Sequence, residues 1–106
     1  LTILFILLYY QYIKKGIIMQ VKQKLIIDTS HSIEIGLSTW DSDEVSIRNR
    51  YDLPNGKFSQ HNSSEVPIYD IAPMIKFACK HDALTPDELK DIIASAVSSL
   101  QSQGKL

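Results

Sequence analysis

Between Met19 and Tyr51 apolar and polar residues alternate in three runs. Met19, Val21, Leu25 and Ile27 share one parity with Gln20, Lys22 and Lys24 between them. Ile33, Ile35 and Leu37 alternate with Ser32, Glu34 and Gly36, and Val45, Ile47, Asn49 and Tyr51 alternate with Ser46, Arg48 and Arg50. A period of two puts each set on one face of a pleated strand. Turn-forming clusters at Asp28–Ser30 and Trp40–Glu44 separate the runs, which predicts a three-stranded antiparallel meander. After Tyr51 the alternation stops. Asp52–Pro67 (DLPNGKFSQHNSSEVP) has only Leu53, Phe58 and Val66 as large apolar groups and reads as a long irregular loop with a tight turn at Pro54, Asn55 and Gly56.

Beyond the loop the period changes to that of a helix. Ile71, Met74, Ile75 and Ala78 fall on one helical face, with the start between Asp70 and Pro73. Thr85, Pro86, Asp87 and Glu88 form a capping box with proline at the first helical position, and Leu89, Ile92, Ile93, Ala96, Val97 and Leu100 follow as an apolar stripe. The expected fold class is α+β: a three-stranded antiparallel β-meander followed by a C-terminal helical hairpin, β-β-β-α-α, as a single small domain over 19–106. A sheet of this kind buries one face, and a helical hairpin is large enough to cover it.

Residues 1–18 stand apart. LTILFILLYYQYI, closed by Lys14, Lys15 and Gly16, is shorter than the run of about 20 apolar residues that a spanning helix needs. It also lacks the leading basic residue and small-residue cleavage site of a secretory signal. The segment is read as a hydrophobic N-terminal extension, translated from sequence upstream of a start at Met19, or else as a short anchor. Only in the second case is a module tethered to the inner membrane expected.

Charge narrows the function. Of the 11 basic residues Lys14 and Lys15 precede Met19, while all 12 acidic residues lie from Asp28 onward, so 19–106 hold nine basic against twelve acidic groups, net −3. Such a domain has no basic field for nucleic acid. The lone Cys79 permits no intramolecular disulfide, which points to a reducing, cytoplasmic setting, and its place beside Ala78 predicts a buried thiol. With so small a core, a homodimer burying Trp40 or Tyr69 is expected.

Arg48 and Arg50 carry the main candidate chemistry. Two positions apart on one strand, they leave the same face, where their forked donors suit a carboxylate or phosphate. The loop that follows supplies Lys57, His61, Ser63 and Ser64, with Asn62 and Glu65 between and after them; folded over that face it would complete an anion-binding pocket. The competing expectation is that the arginines pair with Glu34 across the sheet. His31, His61 and His81 lie too far apart for a metal-ligand set, and Asp41–Glu44 lacks the acceptor and glycine of a calcium loop. No metal and no cofactor is expected. The reading is therefore a non-enzymatic binding or accessory protein that recognises a protein partner or a small anionic ligand through Arg48, Arg50, Lys57, His61, Ser63 and Ser64. The alternative is a dimeric enzyme with an interface site, where His61 acts as acid or base on an anionic substrate.

Overall fold

The computed structural model describes Ile3, Leu4, Ile6 and residues 18–106. Apart from Ile3, Leu4, Ile6 and Ile18, the expectation for residues 1–18 lies outside the described residues. The chain divides into two compact units, one running through Ile71 and the other over Ala72–Leu106.

The first unit holds an antiparallel sheet of β1 (Gln20–Ile26), β2 (His31–Leu37), β3 (Val45–Tyr51) and β4 (Ser64–Pro67), in the order β1-β2-β3-β4. The overall class is α+β, but the sheet has four strands where three were expected. The fourth lies inside the stretch read as loop. Ser64-Glu-Val-Pro is four residues long, begins and ends on turn-favouring types, and runs along the sheet edge, where proline's missing N–H is tolerated.

Parity also breaks once. Val21 pairs with Gly36 but Gln23 pairs with Ile35, so Lys22 is an extra residue, a β-bulge. The bulge moves Val21 to the face of Gly36 while Leu25 joins Ile33 on the other, so these two apolar residues do not share a face as the alternation predicts. Gly36 is needed there: a Cβ at this position would lie 2.0 Å from the Gln20 carbonyl oxygen.

The register builds two chemically distinct faces. On one lie Leu25, Ile33, Ile35, Ile47 and Val66; on the other Lys24, Glu34, Arg48 and Glu65 stand side by side, one from each strand. The second face is the more buried. Ser32, Glu34, Ser38 and Ser46 are buried, whereas Ile33, Ile35, Leu37 and Ile47 are half-buried.

A 3-10 turn, Ile68–Asp70, leads to α1 (Ile71–Lys80), and α2 (Pro86–Ser102) follows. Asp82, two residues past the end of α1, has a left-handed φ of 52°; its N–H bonds the Cys79 carbonyl and the next N–H bonds that of Ala78. Helix α2 opens on the expected capping box: Glu88 N donates to Thr85 Oγ1 at 3.1 Å and Thr85 N to Glu88 Oε1 at 2.9 Å. Cys79 is exposed, contrary to its expected burial; no residue of α1 is buried, and its apolar residues Met74 and Ile75 are exposed as well. Among the described residues no helix is long and apolar enough to cross a membrane.

Candidate functional site

The polar face of the sheet is organised around Glu34, whose side chain is only 2% exposed. A buried carboxylate requires paired charge and hydrogen bonds, and two guanidinium groups supply them. Arg48 Nε donates to Glu34 Oε1 at 2.9 Å and Arg48 Nη2 lies 2.8 Å from the same oxygen. Arg50 Nη1 reaches Glu34 Oε2 at 3.4 Å, and Lys24 Nζ stands 3.8 Å from that oxygen. Both arginines do leave one face, and both pair with Glu34, as the competing expectation had it.

Asp52, just past β3, holds the second arginine from the other side: Arg50 Nε donates to its Oδ1 at 2.9 Å. That bond, helped by the charge of Glu34 and opposed in part by desolvation, raises the Arg50 guanidinium above the ordinary arginine range. Asp52 also forms a bridge with Phe58, closing the segment between them into a tight hairpin. Within it Gly56 adopts a left-handed φ of 83°, its N–H bonds the Leu53 carbonyl, and Leu53 N donates to the Lys57 carbonyl. This closure lays Phe58 on the arginines, the Cζ atoms of Arg48 and Arg50 lying 4.6 and 5.2 Å from the ring centroid. The loop thus folds onto the polar face.

The resulting cleft, about 570 Å³, lies wholly within the first unit. Arg48, Arg50 and Phe58 line one part of it; Thr39, Trp40 and Glu65 line another, with Ile18, Met19, Gln60 and Ser63 completing the wall. Among the described residues, Nη1 of Arg48 and Nη2 of Arg50 have no acceptor. Arg48 is therefore clamped along one edge by Glu34 and Arg50 is held between Glu34 and Asp52, each keeping one terminal nitrogen unpaired among the described residues, with 12% and 23% of the two side chains exposed. Trp40 is fixed by an Nε1–H bond to Glu44 Oε2 at 2.6 Å, leaving its ring exposed.

Of the six residues singled out from the sequence, Arg48, Arg50 and Ser63 line the cleft. Ser63 is tied to β3, its Oγ accepting from Tyr51 N at 2.9 Å. Lys57 and His61 are exposed on the loop outside the lining, and Ser64 pairs with Asn49, which puts it on the opposite face of the sheet from Arg48. The sequence reading missed Phe58, Trp40, Thr39 and Gln60 as lining residues. Phe58 did carry a signal, being the only aromatic residue in a sixteen-residue polar stretch. Among the described residues no cluster of three or more histidine, cysteine or acidic side chains is placed to hold a metal ion.

Comparison with known proteins finds no matching family model, no matching curated protein and no matching solved structure.

Proposed function

We propose that this chain is a small non-enzymatic binding protein that takes up a small anionic ligand in the cleft over the polar face of its sheet. The observation that carries the reading is the pair of clamped guanidinium groups. Glu34 and Asp52 fix their orientation, Phe58 covers them, and both residues line a cavity while keeping an unpaired terminal nitrogen. Preoriented donors lose little freedom on binding, and charge-assisted bonds from a fork match a carboxylate or phosphate. A recess of several hundred Å³ with aromatic walls suits a small molecule better than a flat protein surface does.

Local charge sets the character of the interaction. Lys24, Arg48 and Arg50 are balanced one for one by Glu34, Asp52 and Glu65, so the site offers directed donors rather than a strong long-range field. Affinity then depends on the fork, and raising NaCl from about 0.05 to about 0.5 M is expected to weaken binding by less than about threefold.

The test must spare the buried carboxylate. Alanine at Arg48 and Arg50 would strand Glu34 without a partner, so the informative variant is Arg48→Lys with Arg50→Lys, which keeps both charges and removes both forks. Titration calorimetry against a panel of small carboxylates and inorganic phosphate is expected to show at least one saturable ligand for the wild type, bound about tenfold or more weakly by the folded double variant. An unchanged affinity would remove the arginines from the site. If a protein partner is recovered and no small anion binds, the small-ligand reading fails.

A further inference from the structure

The charged row across the sheet runs Lys24, Glu34, Arg48, Glu65, alternating in sign from β1 to β4. Its first two rungs are made, Lys24 to Glu34 and Glu34 to Arg48. The third is not. Arg48 and Glu65 are direct cross-strand partners of opposite charge, with Cβ atoms about 5 Å apart in such pairs, yet among the described residues no ion pair joins them. Arg48 reaches across the sheet to Glu34, while Glu65 reaches over β3 to Ser46 and to Thr39, just past β2: Oε1 accepts from Thr39 Oγ1 at 2.6 Å, and Oε2 from Thr39 N at 2.9 Å and Ser46 Oγ at 2.7 Å. Both nevertheless line the same cleft.

Each member of this open rung has capacity to spare. A carboxylate offers about four acceptor positions, and the three bonds to Glu65 leave one, on Oε1. Arg48 Nη1 has donors to give on its side. The cleft is therefore lined by a guanidinium with a donor to give and a carboxylate with an acceptor position to give, on residues that are direct cross-strand partners. Beside them the exposed ring of Trp40 and the exposed side chain of Ile18 form an apolar wall. A simple anion would satisfy the arginine end and meet repulsion from Glu65. A molecule carrying an ammonium next to its carboxylate would satisfy both.

Resting on the anion-site reading above, we propose that the ligand is zwitterionic: a free α-amino acid with an apolar side chain. Its carboxylate lies on the free donors of Arg48 and Arg50, its ammonium donates to Glu65 Oε1, and its side chain lies against Trp40 and Ile18. The bound amino acid closes the rung that the protein leaves open.

The test compares ligands on the intact wild-type chain, then on Glu65→Gln. Titration calorimetry would be run at neutral pH with L-phenylalanine and L-leucine, each against its amine-free counterpart, 3-phenylpropanoate and 4-methylpentanoate. At least one amino acid is expected to bind about tenfold or more tightly than its amine-free acid, the size of one charge-assisted contact. In Glu65→Gln that preference is expected to fall to about twofold or less, with the amine-free acid holding or gaining affinity. Amine-free acids that bind as tightly as their amino acids overturn the zwitterion and leave the anion site standing. If none of the four carboxylates binds, this inference is overturned, while phosphate binding lost in the double lysine variant would keep the anion site. A preference that survives in folded Glu65→Gln removes Glu65 from the assignment. Because Glu65 takes three hydrogen bonds the variant can lose its fold, and the wild-type comparison decides without it.

Discussion

Glu34 is the residue on which the polar face depends. Its carboxylate is buried against Arg48 and Arg50, so Glu34→Ala leaves two partly buried guanidinium groups without their shared counter-ion. Removing one partner of a fully buried pair destabilises by about 3–5 kcal/mol; the residual exposure of both arginines reduces this to about 2–4 kcal/mol. Urea denaturation should show that loss, and a change below about 1 kcal/mol would mean that the cluster is solvated. Ser32, one register position along the same face, is the opposite case. Its hydroxyl is buried with no hydrogen-bond partner among the described residues, so Ser32→Ala is expected to be neutral or to stabilise by up to about 1 kcal/mol in the same assay. Both side chains are polar and both are buried, and what separates them is whether a partner is in place. The pairing of Glu34 with the arginines was legible in the sequence, since residues at matched positions of neighbouring strands meet. The depth of its burial was not, because alternation alone assigns the polar face to solvent. Here the charges neutralise one another and a loop covers them.

At the level of elements, the sequence was informative wherever a local rule fixes geometry. Period-two runs located β1, β2 and β3, and the Thr85–Glu88 box located the start of α2. That box makes its own prediction. Thr85→Ala removes the acceptor for Glu88 N and should weaken α2 by about 1 kcal/mol, read as lost helical circular dichroism on heating. The bond from Thr85 N also holds the Glu88 carboxyl below its ordinary range. A carboxyl lowered in the folded state stabilises fully above its unfolded value and loses that contribution as pH falls through the folded one. The helical signal of the wild type should therefore weaken further in that acid range than that of Glu88→Gln, whose side chain has no carboxyl to protonate. Equal acid sensitivity in the two proteins would contradict the cap's role. What escaped the sequence were features that depend on a distant strand. Nothing local marks Lys22 as a bulge, because the extra residue is defined by the register of Gly36 and Ile35 opposite it. Strand β4 is built of residues that also make turns and is a strand only because β3 offers it an edge. Gly36 lies opposite the bulge. Gly36→Ala would drive a methyl group into the β1 backbone and should lower stability by about 1–3 kcal/mol.

For the molecule as a whole, the sheet serves as a platform with a charged row on one side, and the hairpin from Asp52 to Phe58 turns part of that row into a cleft. The arginine pair could be foreseen because both residues sit on one strand. The cleft could not, since Phe58, Trp40, Thr39 and Glu65 come from three separate stretches and meet only in the folded unit. Of the loop residues first named, Ser63 and Glu65 line this space while Lys57, His61, Asn62 and Ser64 do not, which shows how little composition says about which way a loop turns. The central claim is that the free donors of Arg48 and Arg50 receive the anionic group of a small ligand. It is tested most directly by nuclear magnetic resonance of the side-chain nitrogen signals of labelled arginine while L-phenylalanine, 3-phenylpropanoate and inorganic phosphate are titrated in. The expected result is saturable movement of the Arg48 and Arg50 signals with at least one of the three, assigned through the single lysine variants. Saturable binding that leaves both arginine signals in place, or no binding by any of the three, would contradict it.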